Sequence, residues 1–205
     1  MTHDRTLHTL HTRRTLLARL GRAALTLAVA SRVAPPLLAQ SAAPARPLPW
    51  ADGLELAVNF SFRAPGGRYN RPYAAVWIED ERGTPVRTLS LWASSAPGKQ
   101  KYLAELRRWW RGEQKRRATD STDLVSTVSS PTRLAGNYTV TWDGRSDRHQ
   151  PVPQGNYVLC LEMAREDGPY GRVRQPLTIG ASPFRIAVDS DGELTDVTAE
   201  LRRRN

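Results

Sequence analysis

The sequence predicts an all-β chain with one inserted helix, folded as an immunoglobulin-like or fibronectin-like antiparallel β-sandwich. Three observations carry this. Short apolar runs alternating at period two recur through residues 53–201, separated by turn residues. A single stretch near 99–117 changes to helical spacing. No strand–helix–strand alternation and no repeat of fixed period is present.

Residues 1–41 read as a twin-arginine signal peptide. Arg13 and Arg14 precede Thr15-Leu16-Leu17, and the run 23–31 is apolar but too short to span a bilayer. Arg32 follows that run, where a basic residue disfavours general secretion. Small residues around Ala39 offer a cleavage site. The expected destination is the periplasm of a Gram-negative bacterium, with the twin-arginine translocation machinery as the partner during export. The Ala/Pro-rich stretch that follows makes residues 42–52 a flexible linker.

The strands come next. Leu54, Leu56, Val58, Phe60 and Phe62 alternate with less apolar residues. Residues 74–79 and 86–92 flank Asp80-Glu81-Arg82-Gly83, a hairpin signal. Tyr138, Val140 and Trp142 mark a further strand, and Tyr157, Leu159, Leu161 and Met163 another. Residues 173–179, 184–188 and 194–201 complete the set, and 202–205 form a basic tail. In the insertion, Tyr102, Leu103, Leu106, Trp109 and Trp110 fall within an arc of about 120° on a helix. That face is expected to lid one end of the sandwich core, with Arg107, Arg108 and Arg111 on the solvent side.

Composition narrows the chemistry. The net charge of +10 points at first to nucleic acid. Residues 1–41 hold six of the 30 basic and one of the 20 acidic residues, which leaves 24 and 19 and a net +5. No nucleic-acid partner is expected. Cys160 is the only cysteine, so no intramolecular disulfide is available. Beyond residue 41 the only histidine is His149, so a Cys/His zinc site cannot be built there. No metal and no cofactor is expected.

Trp142-Asp143-Gly144 with Val152-Pro153-Gln154-Gly155-Asn156-Tyr157 resembles a hairpin of the immunoglobulin-like domain in flagellar hook-capping proteins. In that reading Asp143 closes an Asx-turn, Gly144 and Gly155 take positive φ, and Trp142 packs on Tyr157. A wider pattern adds the segments 71–80, 86–92, 101–110, 131–133 and 161–166, in that order. It resembles the predicted periplasmic family called domain of unknown function twenty-two seventy-one, over roughly residues 54–200. That resemblance implies a tie to extracytoplasmic electron transfer or metal handling. It also brings forward Thr132, because the family carries a stretch similar to a covalent flavin-attachment signal. Here the stretch reads Ser129-Ser130-Pro131-Thr132-Arg133, with Pro and Ser in place of the expected Ala and Gly, and Ser126 in place of the acid.

The remaining site candidates are charges beside strands: Arg133, Glu162, Arg165 and Glu166. Glu162 shares a face with Cys160 and needs a partner if buried, and Arg133 is the candidate. Glu79 and Asp80 are adjacent on a strand and point to opposite faces, which argues against acid–base work by the pair. No catalytic constellation emerges. The expectation is a non-enzymatic periplasmic binding or accessory module with a periplasmic or membrane protein partner. The alternative is an accessory protein of a flavin-dependent electron-transfer or metal-handling system.

Overall fold

The computed structural model describes residues 46–63, 66–93, 99–120 and 123–204. Arg13 and Arg14 and the rest of the expected signal segment lie outside the described residues. The described chain is a two-sheet β-sandwich with a helical insertion. Its strands are β1 (Leu54–Phe62), β2 (Tyr73–Asp80), β3 (Pro85–Trp92), β4 (Ser129–Ser130), β5 (Gly136–Trp142), β6 (Gly155–Ala164), β7 (Gly171–Ile179), β8 (Phe184–Ala187) and β9 (Leu194–Arg203). One sheet has the order β5-β1-β9-β8 and the other β4-β3-β2-β6-β7. All pairings are antiparallel except the short β3–β4 ladder.

The alternating residues of β1 (Leu54, Leu56, Val58, Phe60 and Phe62) all enter the core between the sheets. They meet Val76, Ile78, Leu159 and Leu161 of β2 and β6 there. Strands β2 and β6 read less cleanly at period two because both their faces are covered. Ala75, Trp77, Cys160 and Ala164 point away from the sandwich core and form a second apolar cluster. Leu103, Leu106 and Trp109 of the insertion fill it from outside.

This corrects the expected position of the helix. It does not lid an end of the sandwich. It lies on the outer face of the five-stranded sheet, as a third layer. The insertion is also broken in two: a 3₁₀ segment, Lys99–Glu105, and then α1, Arg107–Arg117, with α2 (Leu124–Val128) after it. Leu106 sits at the break, with φ −80° and ψ 71°, outside helical geometry. Leu103, Leu106 and Trp109 are buried, whereas Tyr102 and Trp110 are half-buried at the edges of the stripe.

Two further boundaries move. Strand β9 runs on to Arg203, Arg202 pairs with Glu55 at 2.9 Å, and the Arg204 amide donates to the Gly53 carbonyl. The end of the expected basic tail is therefore stitched to β1. The last part of the expected linker is docked as well. Trp50 meets Trp142 edge-on at 4.8 Å, and its indole N–H donates to the Leu54 carbonyl. Gln154 holds the Leu48 and Pro49 carbonyls.

The Trp142–Tyr157 segment is not one ladder. Strands β5 and β6 belong to different sheets, so residues 143–154 form an arch between them. Inside the arch a small hairpin closes by Val152 donating to Gly144 and by the Arg145–Pro151 bridge. Asp143 accepts from the Arg145 amide in an Asx-turn, and the rings of Trp142 and Tyr157 meet at 5.2 Å across the sheets. Gly144 has φ +75°, and a Cβ there would lie 2.1 Å from the Trp50 ring. His149 holds φ 60° at the hairpin tip, the conformation that makes glycine the usual choice in such turns.

Candidate functional site: a covered charge network and a tyrosine-lined cavity

Glu162 sits on the outer face of β6, fully buried. Its partner is not Arg133. The carboxylate accepts the Arg108 amide at 2.9 and 3.1 Å and the Trp109 amide at 3.0 Å, and the Tyr170 hydroxyl donates to it at 2.5 Å. Arg108 and Trp109 are in the first turn of α1, where amides lack intrahelical acceptors. The residue at the N-cap, Leu106, has no side-chain oxygen to offer. Glu162 therefore caps α1 from the sheet below, and the positive end of the helix dipole stabilises its charge. Burial and the bond to Glu162 push the Tyr170 hydroxyl's pKa well up, which keeps it a donor.

A second buried carboxylate lies alongside. Glu79, on β2, is 2 % exposed. It accepts both nitrogens of the Arg108 fork at 2.8 and 2.6 Å, the Trp77 indole at 3.0 Å and Arg174 at 3.1 Å. Burial raises its pKa, but these donors outweigh burial and leave it below the ordinary value of 4.5. Cys160 lies between the two systems under the helix. Burial and the nearby Glu79 push its thiol up to about 12, so it is not a nucleophile at neutral pH.

Sequence reading missed this network by assigning Arg108 to solvent. A signal was available. Trp77 and Glu79 share one face of β2, and Cys160 and Glu162 share one face of β6. Acids on the same face as a Trp and a Cys call for donors from whatever covers that face.

Arg133 lies elsewhere. It stands over the rings of Trp92 and Tyr138 at 5.4 and 5.5 Å. Arg165 pairs with Glu193 at 2.7 Å, both sides largely buried. The four candidate charges, Arg133, Glu162, Arg165 and Glu166, are thus distributed over three places.

Two of the expected residues do meet a third and a fourth. Thr132, Tyr102, Arg165 and Glu166 line one cavity of about 620 Å³. Its wall also includes Tyr69 and Tyr73, and its charges are mixed, with Arg68 and Arg71 against Glu105 and Asp167. Tyr73 and Tyr102 lie 6.1 Å apart. The cavity is built from the loop before β2, the 3₁₀ segment, the chain after β4 and the end of β6. Among the described residues, no group of three or more His, Cys, Asp or Glu is placed to hold a metal ion.

No helix among the described residues is long and apolar enough to cross a membrane. No curated protein and no solved structure matches the chain. The profile of one family matches residues 55–196, that of domain of unknown function 2271, described as a predicted periplasmic protein. That span runs from Glu55 in β1 through the start of β9, and takes in the strands between, the insertion and all the cavity-lining residues. The chain belongs to this family and is placed in the periplasm with it.

Proposed function

We propose that the chain is a non-enzymatic periplasmic binding module of immunoglobulin-like type, with the tyrosine-lined cavity as its ligand site. The cavity itself carries the reading. At about 620 Å³ it has the size of a small-molecule site, and it offers aromatic faces beside charges of both signs. That chemistry suits a polar aromatic or zwitterionic ligand. The buried acids beneath α1 are fully engaged with helix amides and arginines, so they read as structural groups rather than as an acid–base pair. The test is to fill the cavity with Thr132→Trp and compare ligand retention by native mass spectrometry.

A second reading is favoured by one observation. Thr132 is half-buried on the cavity wall, where a threonine would need to be for an attached flavin to enter the cavity. Co-expression with a flavin-attaching enzyme and intact mass under denaturing conditions separates the two readings. A mass increase lost in Thr132→Ala supports attachment.

Delivery by the twin-arginine route belongs to the same proposal. Arg13→Lys with Arg14→Lys keeps the charge and is expected to abolish export, measured as mature-length protein in the periplasm. Normal export of that variant would assign the general secretion route instead.

A further inference from the structure

A second recess lies against α1 and shares no lining residue with the cavity. It has a volume of about 540 Å³ and lies between α1 and the β2–β3 turn. Gly112 and Pro85 approach closely on its wall, where a Cβ on Gly112 would come 3.0 Å from the Pro85 ring. Five cations line it: Arg82, Arg108, Arg111, Lys115 and Arg116. The one carboxylate on the wall, Glu79, is already committed to Arg108 and Arg174. Arg116 is held by Glu113. The side chains of Arg82, Arg111 and Lys115 form no ion pair among the described residues, and all three are exposed.

Part of this charge costs the helix: Arg111 and Lys115 are like charges four apart on the recess wall, although Lys115 also stands in the last turn, where a cation suits the dipole. The first turn holds two arginines and no acid, opposed to the helix dipole. A local cost of this kind, at a recess, marks a site whose use lies outside folding. Among the described residues the exposed large apolar side chains are Leu48 and Leu134, and neither lines the recess. A membrane-surface helix would need apolar residues beside its basic ones. A walled recess also suits a compact solute better than an extended acidic chain.

We propose that this recess binds a small soluble oxyanion carrying several charges, of the pyrophosphate or phosphate-ester class. Arg108, fixed by Glu79, sets the wall. Arg82, Arg111 and Lys115 converge on the anion with charge-assisted hydrogen bonds.

The test is calorimetric titration of pyrophosphate into the full chain at low ionic strength. Inorganic phosphate and hexaglutamate serve as competing probes. Saturable binding of pyrophosphate, tighter than that of either competitor, is expected. Arg111→Gln with Lys115→Gln is expected to weaken it roughly tenfold. Arg68→Gln with Arg71→Gln, at the other cavity, is expected to leave it unchanged. Both variants change exposed side chains, and an unmoved melting temperature checks that they fold. Absence of saturable binding would overturn the proposal, as would an equal loss from the Arg68/Arg71 variant. Tighter binding of hexaglutamate would also overturn it and assign the recess to an acidic protein segment.

Discussion

Glu162 shows how one residue fixes the relation between a sheet and the layer above it. A buried carboxylate is costly unless every lone pair is used, and here two helix amides and a tyrosine hydroxyl use them. Glu162→Ala is expected to cost about 3 kcal/mol, because it leaves the Arg108 and Trp109 amides buried without acceptors. Glu162→Gln keeps one acceptor and loses the charge, and about half that cost is expected. Urea denaturation of both variants checks the order. Glu79 predicts a pH dependence. Its folded pKa lies below the ordinary 4.5, so as pH falls the unfolded chain takes up the proton first. Its contribution is complete above the ordinary carboxylate range and is lost as pH falls through the depressed value. Asp147, whose pKa is raised by burial, acts in the opposite sense and partly offsets it. Glu79→Gln is expected to be less stable at neutral pH and to show a flatter urea midpoint below about pH 4.5. A variant as steeply acid-sensitive as the parent would remove Glu79 from this account.

At the scale of elements, the insertion is the part that sequence reading placed only half correctly. The stripe of Leu103, Leu106 and Trp109 is legible because helix periodicity and burial coincide there. The break at Leu106 is not legible, since it is set by where Glu162 can reach the first amides of α1. Nor is the face the helix covers, because periodicity reports an apolar stripe without naming its counterpart. Trp109→Ala is expected to cost about 3–5 kcal/mol and to loosen the outer layer while the inter-sheet core persists. Amide exchange should rise first under the helix, on β2 and β6. The arch between β5 and β6 makes a second case. Its turn chemistry, Asp143 and Gly144, reads directly from residue type, yet local residues do not say which sheet the next strand joins. Gly144→Ala places a methyl group against the Trp50 ring and strains φ +75°. A loss of about 2 kcal/mol is expected, with a red shift of the tryptophan emission that is absent in a Trp50→Phe background. Unchanged fluorescence would mean that Trp50 does not depend on the glycine.

Over the whole molecule, eight of the strands follow from alternation and turn residues, and the short β4 does not because two residues carry no periodicity. The cavity was partly legible: Thr132, Tyr102, Arg165 and Glu166 come from three separate segments, and nothing in their spacing shows that they meet. Their meeting depends on the third layer lying on the outer face, since the 3₁₀ segment supplies one wall. The proposed binding role therefore rests on the cavity, and the mass of what the folded chain carries tests it most directly. The mature-length protein is isolated from the periplasm and weighed natively and after denaturation, beside Thr132→Trp. The account predicts a non-covalent adduct on the parent chain, released on denaturation and missing from the Thr132→Trp variant. An adduct that survives denaturation and vanishes in Thr132→Ala would replace it with covalent flavin attachment. The bare polypeptide mass in every sample would contradict it, as would an adduct retained both by Thr132→Trp and by Arg111→Gln with Lys115→Gln.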